Sequence, residues 1–199
     1  MVGDETTVAG GLPGLPRREP YRTWPGSLIV IGVILVLVGA LIVWDDNTSG
    51  AEPIEPGTTV EVGNGVSFVP ADGWFLLDER TTPGSQATVA SRGGTFTVEA
   101  GTWFDPLPGL VERTSRTILA DGSLRLIGDG VSFHTDGGLT GTRLAFAGSG
   151  VQGRAWVAVD DQADVSVVVY ASSPPETFQQ VSGQVDAMID SIRMNGADA

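Results

Sequence analysis

The chain has no cysteine, no lysine and a single histidine in 199 residues. The missing thiols remove disulfides, thiolate nucleophiles and thiolate metal ligands together, so an exported fold must be held by packing alone. One imidazole, His134, cannot build a histidine-based metal site. It lies in a strand-like VSFHT, where Ser132 is too close in the same strand to be its nucleophile, and no GxSxG elbow occurs. Positive charge is also scarce: 11 arginines face 24 acidic residues, for a net charge of −13. A surface of that sign repels nucleic acid and anionic lipid headgroups, and a nucleic-acid partner is not expected.

What the sequence does have is one long apolar run, Ser27 to Trp44, SLIVIGVILVLVGALIVW. Its 18 residues at about 1.5 Å each cover roughly 27 Å, enough for a bilayer hydrocarbon core. Thirteen of them are Leu, Ile or Val and none is ionisable; at about −0.3 to −0.6 kcal/mol each, the 13 favour insertion by roughly 4 to 8 kcal/mol. Residues 27–44 therefore read as a single membrane-spanning helix, with Trp24 and Trp44 as interfacial anchors. Arg17, Arg18 and Arg22 precede it, which by the positive-inside rule places residues 1–26 in the cytoplasm and residues 45–199 outside. The alternative is a signal peptide cut after Ala40. Leu41 to Trp44 continue the apolar run past that site, and 26 residues make a long leading region. The expected localisation is the cell membrane, single-pass, with an extracytoplasmic C-terminal domain.

The rest divides by composition. Residues 1–26, with LPGLPRREP at their centre, read as a disordered tail, and residues 45–58, DDNTSGAEPIEPGT, as a stiffened linker. Residues 59–195 are expected to form one α+β domain. Runs at Thr59–Val62, Val66–Val69, Trp74–Leu77, Gln86–Ala90 and Thr95–Ala100 are strand-like and separated by Gly-, Asn- and Pro-rich turns. Asp105-Pro106 predicts a helix start with Asp105 as N-cap, followed by Leu107, Leu110, Val111, Thr114 and Ile118 at helical spacing; Glu112 and Arg116 add an i, i+4 pair. Five further runs follow: Leu124–Ile127 with Val131–His134, then Thr140–Ala147, Gly153–Val159 and Val165–Ala171. AWVAV and VSVVVY are apolar without alternation, which requires cover on both faces of the sheet. SPPE at 173–176 predicts a second helix, capped by Ser173 and Glu176, with Phe178, Val181, Val185, Met188, Ile189 and Ile192 in one stripe.

Chemistry-bearing motifs are sparse. DDQAD at 160–164 lacks the spacing and terminal Glu of a calcium loop, and GSGVQG at 148–153 lacks the following helix N-terminus that a dinucleotide needs. No cofactor and no metal are expected. Large side chains remain: Trp74, Trp103, Phe104 and Trp156 either fill the core or line a greasy cleft for an acyl chain. Trp103-Phe104, just before the Asp105-Pro106 break, is the pair expected to be exposed and to contact a ligand or partner.

VSFVPADGWFLLDE, the mid-chain helix, the Gly-rich meander and the closing FQQVSGQVDAMIDSIR resemble the Mog1/PsbP-like α/β/α sandwich, and more narrowly actinobacterial envelope lipoproteins of the LpqN kind. Pro70, Gly73, Trp74, Ile189, Ser191 and Ile192 carry the likeness, with a span here in place of a lipidated Cys. The resemblance implies a mainly antiparallel sheet and a non-enzymatic accessory or adaptor domain, in some relatives tied to the export of envelope lipids by membrane transporters. Its expected partner is then another envelope or membrane protein. Two other classes stay open: a binding module for a lipid or other hydrophobic ligand, and a hydrolase using dispersed carboxylates.

Overall fold

Two apolar strands with no polar face dictate the architecture, because such strands are stable only when something packs on each side. In the computed structural model, which describes residues 54–194 apart from 92 and 121, these are β9 (Val151–Asp160) and β10 (Val165–Ser173). The tail expected at 1–26, the membrane span expected at 27–44 and the first nine residues of the linker expected at 45–58 lie outside the described residues. Among the described residues, no helix is long and apolar enough to cross a membrane.

The preceding elements are β1 (Val60–Gly63), β2 (Val66–Phe68), β3 (Phe75–Leu76), a 3-10 turn at Asp78–Arg80, β4 (Gln86–Ser91), β5 (Gly94–Thr102), helix α1 (Leu107–Leu119), β6 (Leu124–Leu126), β7 (Val131–His134) and β8 (Thr140–Gly148). After β10 come α2 (Pro175–Asp190) and β11 (Arg193–Met194). The large sheet runs β3-β4-β5-β10-β9-β8-β6, with β7 also paired to β8, and every pairing is antiparallel. β6 and β7 do not pair with each other; they lie end to end along β8, opposite Phe146–Gly148 and Thr140–Arg143 respectively. The chain leaves β5 through α1, starts again at the far edge and meanders back until β10 closes on β5.

The two faces are covered by different elements. On one face Phe96, Val98, Trp156, Val167 and Val169 pack against Val181, Val185, Met188 and Ile189 of α2, and against Val62, Val66 and Phe68 of a small sheet ordered β1-β2-β11. On the other face Ala155, Val157 and Val168 meet Leu110, Val111 and Ile118 of α1. The expected sandwich of helices about a mainly antiparallel sheet is therefore present. α1 packs on β6, β8 and β9, whereas α2 packs on β5, β9 and β10, so the two covers are offset across the sheet.

Local chemistry explains the details. Asn64 and Gly65 both adopt positive φ, 52° and 73°, as the two-residue turn between β1 and β2 requires. A Cβ at Gly153 would run into the Phe146 ring and the Ala171 carbonyl, so the strand crossing there tolerates only glycine.

Both helix starts differ from expectation by about one residue. α1 begins at Leu107 with Pro106 as N-cap and no side-chain cap, so Asp105 does not cap it. α2 begins at Pro175 with Pro174 as N-cap; Ser173 remains the last residue of β10, and its hydroxyl bonds the Pro174 carbonyl instead of a helix N–H. With Pro at each first turn, fewer orphan N–H groups need a cap.

The end of α2 is set by tertiary bonds. Val69 N–H donates to Ser191 Oγ at 2.9 Å, and the chain then adds β11 to β2. Ile54, within the predicted linker, also packs against the core.

Met188 is 1% exposed at the centre of the α2 stripe, whereas Glu112 and Arg116 form an exposed 3.7 Å pair. Met188→Ala should destabilise the fold by about 2–5 kcal/mol and Glu112→Ala by less than about 0.5 kcal/mol, measured by urea unfolding.

Candidate functional site

The end of β5 brings together the residues singled out in the sequence and others that were not. Trp103 leaves β5 with its backbone N–H donating to Asp164 O at 2.9 Å, which ties this corner to the β9–β10 turn. Its half-buried ring packs beside Leu110, Val157 and Val168, and the Arg113 guanidinium lies 5.6 Å from the ring centroid. Trp103 Nε1 is buried and meets no acceptor among the described residues, so packing and the cation fix the ring. Phe104 is turned away and is 80% exposed. The expected exposed pair is thus split: Trp103 is the footing and Phe104 the projecting side chain.

The face of the sheet that carries α1 also holds, along β5, a polar stripe that the sequence reading missed. Thr95, Thr97 and Glu99 alternate along β5 on the face opposite Phe96 and Val98. Thr97 and Thr88 share a buried 3.1 Å hydroxyl bond, and Thr95 bonds Ser172 at 3.0 Å. The Arg80 carbonyl accepts from Gln86 Nε2 at 2.9 Å and Thr88 Oγ1 at 3.2 Å, so the 3-10 turn caps this stripe. Burial raises the Glu99 carboxyl above its ordinary value, and the Arg113 charge partly restores it. Burial, with the Glu99 charge added, pushes the Tyr170 phenol far up, against a hydrogen bond from Thr114 and the Arg113 charge. Arg113 therefore serves both the Trp103 ring and the Glu99 carboxylate. The signal was the Thr-Phe-Thr-Val-Glu alternation at 95–99, whose polar face a strand under a helix has to satisfy.

The remaining candidates stay apart from this corner. His134 is exposed, with Nδ1 3.0 Å from Thr140 Oγ1 across the β7–β8 pair. Asp160 Oδ1 accepts from the Gln162 and Ala163 N–H groups at 2.9 and 3.2 Å, which is turn chemistry. Among the described residues no group of three His, Cys, Asp or Glu is arranged to hold a metal ion. GSGVQG forms the β8–β9 turn, with Gly150 at φ 77°. Trp74 and Trp156 are 1% and 3% exposed and belong to the core, so neither lines a cleft for an acyl chain. A shallow cleft of about 370 Å³ lies at the opposite side of the β9–β10 turn, between Gly137–Thr140, Asp160–Gln162, Ile192 and Met194.

No protein-family model matches the chain, and no curated protein matches it. Solved structures do. Cyanobacterial PsbP from Synechocystis superposes with a TM-score of 0.53 at 14% identity, over 74% of this chain and 98% of that one. LpqN of Mycobacterium tuberculosis, described as involved in cell envelope biogenesis, gives 0.48 at 16% over 74% and 92%. The Saccharomyces cerevisiae Ran-binding protein Mog1p gives 0.46 at 13% over 73% and 96%. The PsbP likeness establishes the fold, as expected from the sequence; identity this low carries nothing further.

The Glu99 shift has a direct consequence for stability. Its folded value is raised above the ordinary 4.5, so the unfolded chain releases this proton first. The favourable contribution is complete below about pH 4.5 and is lost as the pH rises through the folded value. Glu99→Gln should remove that loss: unfolding free energies of the variant, relative to the parent, should rise between pH 4 and pH 7. A difference that stays flat or falls would show that Arg113 fully compensates the buried charge.

Proposed function

We propose that the chain is a membrane-anchored, non-enzymatic accessory protein of a bacterial cell envelope, whose extracytoplasmic domain holds another envelope or membrane protein through the Trp103–Phe104 corner. The observation that carries this reading is Phe104: a phenylalanine 80% exposed in a domain whose other described aromatics are buried or half-buried. Leaving that ring in water forgoes roughly 1.5–3 kcal/mol of burial, which a partner pocket would recover. The footing beneath it is rigid. Trp103 N–H is bonded to the β9–β10 turn, Arg113 stacks on the ring, and α1 begins three residues after Phe104. A preorganised aromatic of this kind loses little entropy on contact.

Support for the anchored topology comes from the apolar run at 27–44 and the three arginines before it. Support for an accessory rather than catalytic role comes from the chemistry at the corner, where a cation stacked on Trp103 and an exposed aromatic, Phe104, are suited to contact. In the wider reading, the partner is a transporter of envelope lipids.

The test places a photo-crosslinking amino acid at position 104, and separately at the exposed position 112, of the full chain in native membranes washed with carbonate. One discrete protein adduct from position 104, absent from position 112, is expected. A lipid adduct at 104 would favour the ligand-binding reading, adducts at neither position would refute the corner as a contact, and loss of the chain from washed membranes would refute the anchor.

A further inference from the structure

The offset between the helices leaves one part of the sheet bare. On the face that carries α2, that helix reaches β5, β10 and β9, and the small sheet lies over β4 and β5. Phe133 at the far end of β7 still packs against that core, whereas β6, Val131 and the Arg143–Ala147 stretch of β8 have no such cover. The register puts Val131 opposite Arg143, which is opposite Trp156; Ala145 opposite Arg154; and Arg125 opposite Ala147. Arg125, Arg143 and Arg154 therefore share one face, with Val131 and Ile127 at its rim, 53% and 48% exposed. Ile127 continues the ladder, its N–H donating to Ala145 O at 2.8 Å.

This grouping runs against the rest of the molecule. The chain carries a net charge of −13, yet three of its arginines converge here. Arg154 is held by Asp186 at 3.7 Å and by the Phe178 ring at 5.1 Å, and Asp129 lies in the β6–β7 loop. Among the described residues, neither Arg125 nor Arg143 has a carboxylate within 4.0 Å. A flat strip with guanidinium groups and two exposed aliphatic side chains matches an interface of phosphate and hydrocarbon.

We propose that this bare strip docks on anionic phospholipid headgroups of the bilayer that carries the chain. The inference rests on reading residues 27–44 as the anchor, because only nine residues, 45–53, then separate the bilayer from the described domain; fully extended they reach at most about 30 Å. Within that reach the acidic remainder of the surface is repelled and the arginine strip attracted, which gives the tethered domain one preferred orientation. Trp103, the neighbour of Phe104, packs on the opposite face of the sheet, against α1.

The absence of cysteine makes the experiment clean. Val131→Cys in the full chain, labelled with an environment-sensitive dye, is placed in nanodiscs of phosphatidylcholine alone and of phosphatidylcholine with phosphatidylglycerol. A blue shift in the anionic discs only is expected at about 0.1 M salt, with its loss at about 1 M, where the Debye length falls from about 10 Å to about 3 Å. Arg125→Gln with Arg143→Gln should abolish the shift, and Arg125→Lys with Arg143→Lys should retain it. The same spectrum in both discs, or a shift indifferent to the glutamines, would overturn the proposal while leaving the anchor intact. A shift that depends on two copies per disc and not on lipid charge would assign the strip to a second copy, and overturns it too. A chain that enters neither disc overturns the anchor and this inference together.

Discussion

Burial of β9 and β10 on both faces is the constraint from which the rest of the domain follows. Ala155, Trp156, Val157 and Ala158 are all at most 3% exposed, and Val167 and Val169 are fully buried. A strand pair of this kind has no solvent face, so a cover is needed above and below. α1 and α2 are those covers, and the small sheet extends the second one over β4 and β5. No disulfide assists, because the chain has no cysteine. Cohesion rests on the interdigitated stripes of the two helices and on long-range bonds such as Trp74 Nε1 to Gln184 Oε1 at 3.0 Å.

The covers are offset because the helices leave two adjacent central strands and lead to different places. α1 follows β5 but leads to β6, so it crosses toward the β8 side; α2 follows β10 and returns toward β2. Two consequences arise on opposite faces. Where α1 starts, Trp103 packs against it while Phe104 stays in solvent, and the polar stripe of Thr97, Glu99 and Tyr170 on the same face has to be satisfied. Where α2 does not reach, the strip of β6 and β8 that carries Arg125 and Arg143 is left bare. Both surfaces are by-products of one packing decision, and each carries a different chemistry: an aromatic on one, guanidinium and aliphatic groups on the other.

Much of this was legible in the residues. The unbroken VSVVVY and AWVAV runs announced two-sided burial, and the stripe from Phe178 to Ile189 announced the helix that supplies half of it. The PsbP-like fold followed from the same segments. What the residues did not reveal was set by distance in the chain. β11 is two residues long and pairs with β2 beside the bond between Val69 and Ser191, 122 positions apart. The pairing of β6 and β7 to β8 instead of to each other depends on β8 being long enough for both. The helix caps were misplaced because a proline at the first turn makes a side-chain cap dispensable. At the candidate site, the Asp105-Pro106 break signals exposure of Trp103-Phe104, which holds for Phe104 alone, whereas the Arg113 link between Trp103 and Glu99 joins residues far apart in the chain and has no local signature.

Native-state hydrogen exchange of the full chain tests the central account most directly, since it reports the opening energy of each strand separately. The amides of Val157, Ala158, Val167 and Val168 should be the slowest to exchange and should open only with global unfolding, while Leu126 and Val131 on the bare edge exchange much sooner. Equal protection across β6 to β10, or early exchange in β9 and β10, would contradict a domain built around two strands buried on both faces.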